Sequence, residues 1–257
     1  MHQAQVILAD PKLLKALQQL VHQAGEAIMQ VYQTADFGIE TKKDDSPVTK
    51  ADLDAHYLLV DGLAKLTPHI AIVSEEDPAS QIVPQTHNCF WLIDPLDGTK
   101  EFINRNGQFT VNLALIEDNA PSFGFVSTPI DQTLYWGGKH LGAWRWRDDS
   151  IEPLQIQVHQ SPKRVVASKS HLNDATRDFI TNLGPTTLVQ AGSSLKLLRI
   201  AEGEADIYPR LAPTCEWDTA AAQAVLEGAG GKVTQVDGSP MKYGKEDILN
   251  PYFVATN

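Results

Sequence analysis

Cysteine and long apolar runs are both scarce in this sequence. Only Cys89 and Cys215 occur, and they lack the C-x-x-C spacing of zinc fingers, so that chemistry is excluded and a disulfide framework is not expected. No uninterrupted apolar run approaches the ~20 residues that a membrane span requires. The first residues lack the basic segment and apolar core of a secretory signal peptide. These absences predict a cytoplasmic protein.

Basic residues are in deficit. The chain has 21 lysines and arginines against 32 aspartates and glutamates, which gives a formal net charge of -11. Binding to polymeric nucleic acid is not expected, because it depends on basic patches. A small anionic ligand remains compatible with this charge, since a bound metal ion can reverse the sign of one cleft.

The order of predicted elements indicates a mixed α/β protein with two halves. Helices are expected from Pro11, over about 49–66, over about 174–183 and from about Trp217. Alternating apolar residues in 109–129 and 132–146 predict antiparallel strands. A polar break near 148–160 predicts a boundary, with one half at 1–155 and another at 156–257. No internal repeat or low-complexity tract is found.

The segment WLIDPLDGTKEF contains the strongest chemical signal. An apolar run typical of a buried strand ends in Asp94 and Asp97, and buried carboxylates are costly unless a cation compensates them. Pro95 fixes its own φ, so the two carboxylates and the Leu96 carbonyl between them can face one point. Hard oxygen ligands of this kind suit Mg²⁺ better than zinc.

Gly98 and Thr99 follow directly and can begin a helical turn whose N–H groups point at an anion. Metal ligands and a phosphate cradle would then be adjacent. The alternative is an ordinary surface turn, because D-P-x-D-G is common turn chemistry.

Two further acidic segments strengthen the metal hypothesis. SEED places Glu75 and Glu76 after a β-branched run, and EWDTAAAQAVLEGAG places Asp218 in the first turn of an alanine-rich helix. Taken singly, the glutamates fit a solvated loop and Asp218 fits a helix cap. Taken together with Asp94 and Asp97, they predict one acidic site.

These motifs resemble the lithium-sensitive, magnesium-dependent inositol monophosphatase superfamily through nearly the whole chain. DPLDGTKEF, SEED, DDSPVTKADLDA and EWDTAAAQAVLEGAGG carry the resemblance. The stretch AGSSLKLLRIAEGEADIYPR is closer to the bacterial 3'(2'),5'-bisphosphate nucleotidase branch. That branch implies removal of the 3'-phosphate from adenosine 3',5'-bisphosphate, giving AMP and phosphate during sulfate assimilation. An inositol or sugar monophosphatase is the alternative within the same chemistry.

The resemblance implies a layered α/β/α/β/α sandwich and two or three Mg²⁺ ions. The ligands carried over are Glu75, Asp94 and the Leu96 carbonyl for the first ion, Asp94, Asp97 and Asp218 for the second, and Glu76 for a third. A metal-activated water, oriented by Glu75 and Thr99, would attack phosphorus without a covalent intermediate. Asp52 and Thr49 would support it through hydrogen bonds. Without metal, repulsion among the acids should raise their pKa values.

The resemblance also implies a set of substrate contacts. The expected residues are Leu96, Asp97, Gly98, Thr99, Ser168, His171, Gly192, Lys196, Arg210 and Asp218. In GSSLK the two serines are expected to cap a helix that carries Lys196, and Lys196 and Arg210 are candidates for the ligand's remaining phosphate or ribose. The alternatives are a surface histidine at 171, an ordinary capped helix, and an Arg210 paired with a local acid.

Three expectations concern the rest of the molecule. The TKKDDSP segment is interpreted as a mobile exposed loop, either a lid over the site or a plain surface loop. A small nucleotide is the expected partner of a monomer or homodimer, and the branch is compatible with peripheral attachment to the inner membrane. A protein that only binds nucleotide is disfavoured, because no expected metal acid is missing.

Overall fold

The computed structural model describes residues 2–42, 45–156, 163–167 and 173–257. The N-terminal part consists of three helices and a short hairpin. They are α1 (Gln3–Ala9), α2 (Pro11–Tyr32), β1 (Glu40–Thr41), β2 (Pro47–Val48) and α3 (Lys50–Leu66). None of the helices in the described ranges is long and apolar enough to cross a membrane.

The starts of α2 and α3 follow from their capping residues. Asp10 accepts hydrogen bonds from the N–H groups of Lys12 and Leu13, and Pro11 occupies the first turn of α2. Thr49 and Asp52 form a reciprocal capping box at the start of α3. Both predicted helix starts are therefore confirmed.

A seven-stranded sheet forms the first half of the sandwich and follows chain order. Its strands are β3 (Ala71–Ser74), β4 (Cys89–Asp97), β5 (Thr110–Glu117), β6 (Ala120–Thr128), β7 (Thr133–Gly138), β8 (Gly142–Arg147) and β9 (Ser150–Pro153). A 3₁₀ helix (Pro78–Gln85) precedes β4, and the short helix α4 (Thr99–Ile103) follows it. β3 and β4 are parallel, and the remaining neighbours are antiparallel, as predicted for β5 to β8.

A five-stranded sheet forms the second half, in the order β11-β10-β12-β14-β13. Its elements are β10 (Lys163–Ala167), α5 (Asp174–Asn182), β11 (Thr186–Gln190), α6 (Leu195–Ala201), β12 (Ile207–Arg210), α7 (Ala220–Gly228), β13 (Lys232–Gln235) and β14 (Phe253–Thr256). The strand latest in sequence, β14, thus lies inside the sheet, paired with β12 on one side and β13 on the other.

The helices pack on both faces of these sheets. One buried core joins α1, α2 and α3 to the seven-stranded sheet, and a second joins α6 and α7 to both sheets. α5 contacts β12 of the five-stranded sheet. α7 lies so close to β6 that a β-carbon at Gly124 would collide with the Ala221 carbonyl. The predicted layered α/β sandwich is confirmed.

One local expectation is corrected. α7 begins at Ala220 and not near Trp217, because Asp218 accepts hydrogen bonds from Cys215 N–H and the Thr214 hydroxyl and so closes a preceding turn. Asp218 is therefore outside the first helical turn. The two ends of the TKKDDSP segment pair as β1 and β2, with Thr41 opposite Pro47, and its role as a lid or a plain surface loop stays a prediction. The division of the chain at residue 155 remains a prediction.

Candidate active site

Three carboxylates from distant parts of the chain meet between the two sheets. Glu75 follows β3, Asp94 lies in β4 and Asp218 precedes α7. One ligand atom from each lies within 4.8 Å of the others, Asp94 is buried, and the other two are partly buried. Parallel pairing of β3 with β4 places Glu75 beside Asp94, and Glu75 N–H donates to the Ile93 carbonyl at 3.1 Å.

Burial and mutual repulsion raise the pKa values of these acids. Burial, followed by the charges of Glu75, Asp97 and Asp218, raises the pKa of Asp94 well above its usual range. Burial, followed by the charge of Asp218, raises the pKa of Asp97 to about 7. Burial also raises the pKa of Asp218, against the hydrogen bond from Thr214. The acids thus crowd more negative charge together than their surroundings compensate, and their hard oxygen donors fit a divalent cation such as Mg²⁺.

Lys42 is a cation beside these acids that the sequence analysis did not identify. Its ammonium donates to Glu75 at 2.8 Å and to Glu76 at 2.7 Å. Burial and the charge of Glu75 raise the pKa of Glu76 to about 7, against the hydrogen bond from Lys42. Lys42 lay inside the segment interpreted as a mobile loop, and charge pairing with the SEED acids was the signal that could have found it.

The predicted hydrogen-bond network of Thr49, Asp52 and Thr99 is present. Thr99 donates to Asp52 Oδ1 at 3.0 Å, and the Thr49 hydroxyl donates to Asp52 Oδ2 at 2.6 Å. Asp52 is buried, and burial raises its pKa against these two hydrogen bonds. The same carboxylate caps α3 and orients Thr99, so the start of that helix is tied to the turn after β4.

The turn from Asp94 to Thr99 has the conformation that its sequence requires. Leu96 N–H donates to Asp94 Oδ1 at 3.1 Å, and the Leu96 carbonyl accepts from the Thr99 hydroxyl at 3.3 Å. Gly98 adopts φ +95° and precedes α4, a left-handed conformation that favours glycine. The predicted helical turn at Thr99 is confirmed, whereas its binding of phosphate remains a prediction.

A cavity of about 160 Å³ adjoins these acids. It is lined by Asp97, Gly98, Glu101, Gly192, Ser193, Ser194, Lys196, Leu197, Tyr208, Arg210, Thr214, Asp218 and Thr219. The structure therefore brings Gly192, Lys196 and Arg210 to the same place as Asp97, Gly98 and Asp218, as predicted. Glu101 was missed, although it follows directly within the quoted DPLDGTKEF motif.

Lys196 and Arg210 place two cations in this cavity. Lys196 is buried, its ammonium donates to the Ser193 carbonyl at 2.6 Å, and it lies 5.8 Å from the ring centroid of Tyr208. Burial lowers the pKa of Lys196 to about 8, against the charge of Asp97. Arg210 donates through Nη2 to the Pro213 carbonyl at 2.5 Å, while its buried Nε has no hydrogen-bond partner among the described residues.

Two expectations about the substrate contacts have a different outcome. Ser168 and His171 lie outside the described residues. The expectation that serine side chains cap α6 is wrong, because Ser194 occupies the N-cap position without a side-chain capping bond. Its hydroxyl donates instead to Asn112 Oδ1 of β5 at 2.8 Å.

Comparison with known proteins identifies the family of this arrangement. The model of the inositol monophosphatase family matches residues 10–257. The chain belongs to this family. The match includes every acid of the cluster and every cation of the adjoining cavity, so the predicted resemblance is confirmed.

Named relatives are similar over almost their full length. The chain is 44% identical to the 3'(2'),5'-bisphosphate nucleotidase CysQ of Salmonella typhimurium, with 95% of this chain and 99% of that protein covered. The chain is also 44% identical to the protein of the same name in Escherichia coli K12, with 94% of this chain and 98% of that protein covered. The crystal structure of CysQ from Bacteroides thetaiotaomicron, a bacterial member of this family, has a TM-score of 0.83 and 37% identity, covering 94% and 96%.

Proposed function

We propose that this protein is a magnesium-dependent 3'(2'),5'-bisphosphate nucleotidase that converts adenosine 3',5'-bisphosphate to AMP and phosphate. The observation that carries the proposal is the direct contact between an acidic cluster and a cavity holding two cations, Lys196 and Arg210. A substrate with two phosphates needs both parts. The names of the relatives at 44% identity support the same choice.

The acids divide by what they do in this proposal. Glu75, Asp94 and Asp218 hold the metal, with Asp97, Glu76 and the Leu96 carbonyl as the remaining candidate ligands. A divalent cation bound there supplies Lewis acidity and lowers the pKa of coordinated water. Metal binding also offsets the cost of gathering buried carboxylates, which is expressed in the raised pKa values of Asp94, Asp97 and Asp218.

The chain's other residues orient water and substrate. Thr99, fixed by Asp52 and the Leu96 carbonyl, is aligned to hold the attacking water together with Glu75. The N–H groups of Gly98 and Thr99 hold the phosphoryl oxygens as charge redistributes. Water attacks phosphorus and gives up a proton, the bond from phosphorus to the ribose 3' oxygen breaks, and that oxygen takes up a proton, so that AMP and phosphate form without a covalent intermediate. Lys196 and Arg210 hold the phosphate that remains on AMP.

A substrate panel tests this proposal. Phosphate release should be faster from adenosine 3',5'-bisphosphate than from inositol 1-phosphate at equal concentration, and it should depend on Mg²⁺. Asp94→Asn should reduce turnover by about a thousandfold or more while the circular dichroism spectrum stays unchanged. Asp118→Asn is the matched control, because Asp118 is exposed on the β5–β6 turn. A clear preference for inositol 1-phosphate, or a near-normal rate in Asp94→Asn, would overturn the proposal.

A further inference from the structure

Three buried polar side chains beside the cavity have no place in the mechanism above. Thr110, Asn112 and Ser194 are each almost wholly inaccessible to solvent. Ser194 Oγ donates to Asn112 Oδ1 at 2.8 Å, and it lies 2.8 Å from Thr110 Oγ1. The group therefore joins β5 of the seven-stranded sheet to the start of α6.

The hydrogen bonds of this cluster extend to Asp97. The single hydroxyl proton of Ser194 is used by Asn112 Oδ1, and Thr110 Oγ1 lies within hydrogen-bond distance of both Ser194 Oγ, at 2.8 Å, and Ser193 Oγ, at 3.2 Å. The backbone N–H of Ser194 donates to Asp97 Oδ2 at 2.6 Å. Ser194 therefore links Asn112 to Asp97. Its hydroxyl bonds to the Asn112 side chain, and its backbone N–H bonds to the Asp97 carboxylate.

The strand register places Asn112 beside the acids. Asn112 is opposite Asp94, and Thr110 is opposite Asp97, across an irregularity in the pairing of β4 with β5. Directly opposed residues of antiparallel strands project on the same face. Asn112 Nδ2 is buried without a hydrogen-bond partner among the described residues, which costs free energy.

The segment that Asn112 holds leads into Lys196, one of the two cations of the cavity. A β-carbon at Gly192 would lie 2.9 Å from Gln108 Cβ, so this segment is seated tightly against the start of β5. Ser193 has φ +39°, an unusual conformation for a residue with a side chain. The Ser193 carbonyl in turn accepts from Lys196 Nζ. Loosening Ser194 would therefore displace the Lys196 ammonium relative to Asp97.

We infer that Asn112 is a positioning residue that determines specificity for the second phosphate. It fixes Ser194 on β5 and thereby sets the distance between the acidic cluster and Lys196. This inference rests on the proposed function. The hydrogen bond that Asn112 accepts comes from Ser194, which lines the cavity, so its loss should weaken recognition of the second phosphate more than chemistry.

The test compares two substrates in two single variants. The ratio of kcat/KM for adenosine 3',5'-bisphosphate to that for adenosine 3'-monophosphate should fall about tenfold in Asn112→Ala, because one buried hydrogen bond is lost. Ser194→Ala removes the same contact from the other side and should give the same loss. The double variant should lower the substrate ratio no further than either single variant, because both changes remove the same hydrogen bond. Isothermal titration calorimetry should show AMP binding weakened by a similar factor.

Two further variants separate positioning from general destabilisation. Ser194→Thr keeps the hydroxyl and should retain most of the substrate ratio. Thr67→Val removes a buried hydroxyl that accepts from Trp91 Nε1 at 2.9 Å, remote from the cavity, and should lower the melting temperature without changing the ratio. An unchanged ratio and unchanged AMP affinity in both Asn112→Ala and Ser194→Ala would overturn the inference alone. Failure of the wild-type protein to hydrolyse the bisphosphate would instead overturn the proposed function.

Discussion

At the residue scale, Lys196 is notable because it is a buried cation, and burying a charge costs free energy. Lys196 is buried, its ammonium donates a hydrogen bond to the Ser193 carbonyl, and burial lowers its pKa to about 8. The nearby charge of Asp97 partly opposes this effect. A phosphate entering the cavity would supply the missing anion. Lys196 is thus poised to favour ligands that carry a second negative group.

The lowered pKa of Lys196 predicts a pH dependence for the bisphosphate substrate. Above about pH 8 the free protein loses the Lys196 proton, so kcat/KM for adenosine 3',5'-bisphosphate should fall there, whereas kcat/KM for adenosine 3'-monophosphate should fall less. Lys196→Arg should abolish the difference between the two profiles, because a guanidinium stays protonated. Parallel profiles for both substrates in the wild-type protein would contradict this account of Lys196.

At the element scale, α1 is anchored by a residue far away in the sequence. Glu117, at the end of β5, accepts from Gln3 N–H at 2.7 Å and from Ala4 N–H at 3.2 Å. These donors belong to the first turn of α1, which has no side-chain cap of its own. A buried carboxylate at a helix N-terminus also interacts favourably with the helix dipole.

Replacing this cap should loosen α1 without affecting the site. Glu117→Gln should lower the free energy of unfolding by about 2 kcal/mol, since a charged acceptor is lost and an amide donor faces an N–H group. Hydrogen exchange in residues 3–9 should accelerate, while substrate turnover stays unchanged. Glu246→Gln, at an exposed position, is the matched control. Unchanged exchange in residues 3–9 would argue that packing alone holds α1.

The elements show what the sequence could and could not predict. The starts of α2 and α3 were predictable from the sequence, because their capping residues, Asp10 and Thr49, bond to the helices that they precede. The start of α7 was placed too early, since Asp218 looks like a helix-start acid but bonds backward to a turn. Ser194 looks like a cap for α6, yet its hydroxyl is used by β5. Hydrogen-bond partners that are distant in the sequence, such as Asn112 for Ser194, are not indicated by any local sequence pattern.

At the scale of the whole molecule, the acids crowded around the site should make stability depend on pH and on a bound cation. In the metal-free protein, the pKa values of Asp97 and Glu76 are raised from 3.8 and 4.5 to about 7. Between about pH 4 and about pH 7, these two side chains therefore hold more protons in the folded chain than in the unfolded chain. Stability should therefore fall as pH rises from about 4 to about 7, and remain at its lower level above that range.

Thermal melting with and without metal tests this linkage. In EDTA the melting temperature should decrease across that pH interval, and Mg²⁺ should restore most of the loss at neutral pH. Asp97→Asn should melt higher than the wild-type protein in EDTA and respond less to pH. A melting temperature that increases between pH 5 and 7 in EDTA would show that the carboxylate cluster is not the dominant titrating feature.

The identities of the clustered acids were predictable, whereas their neighbours were not. Asp94, Asp97, Glu75 and Asp218 stand in motifs where acids end strands or precede a helix, and such placement is chemically unusual. Lys42 is an ordinary lysine in a polar segment until folding brings it between Glu75 and Glu76. Cross-sheet contacts of this kind depend on the complete layered packing, which local sequence patterns do not specify.

The interior position of β14 has a consequence for how the protein is made. Its two neighbours, β12 and β13, are translated before residues 253–256, so neither obtains its full set of backbone partners until those residues leave the ribosome. The seven-stranded sheet can pair completely much earlier, because each of its strands lies next to its predecessor. During synthesis, the first sheet and its acids are therefore exposed to solvent while the second sheet still lacks β14.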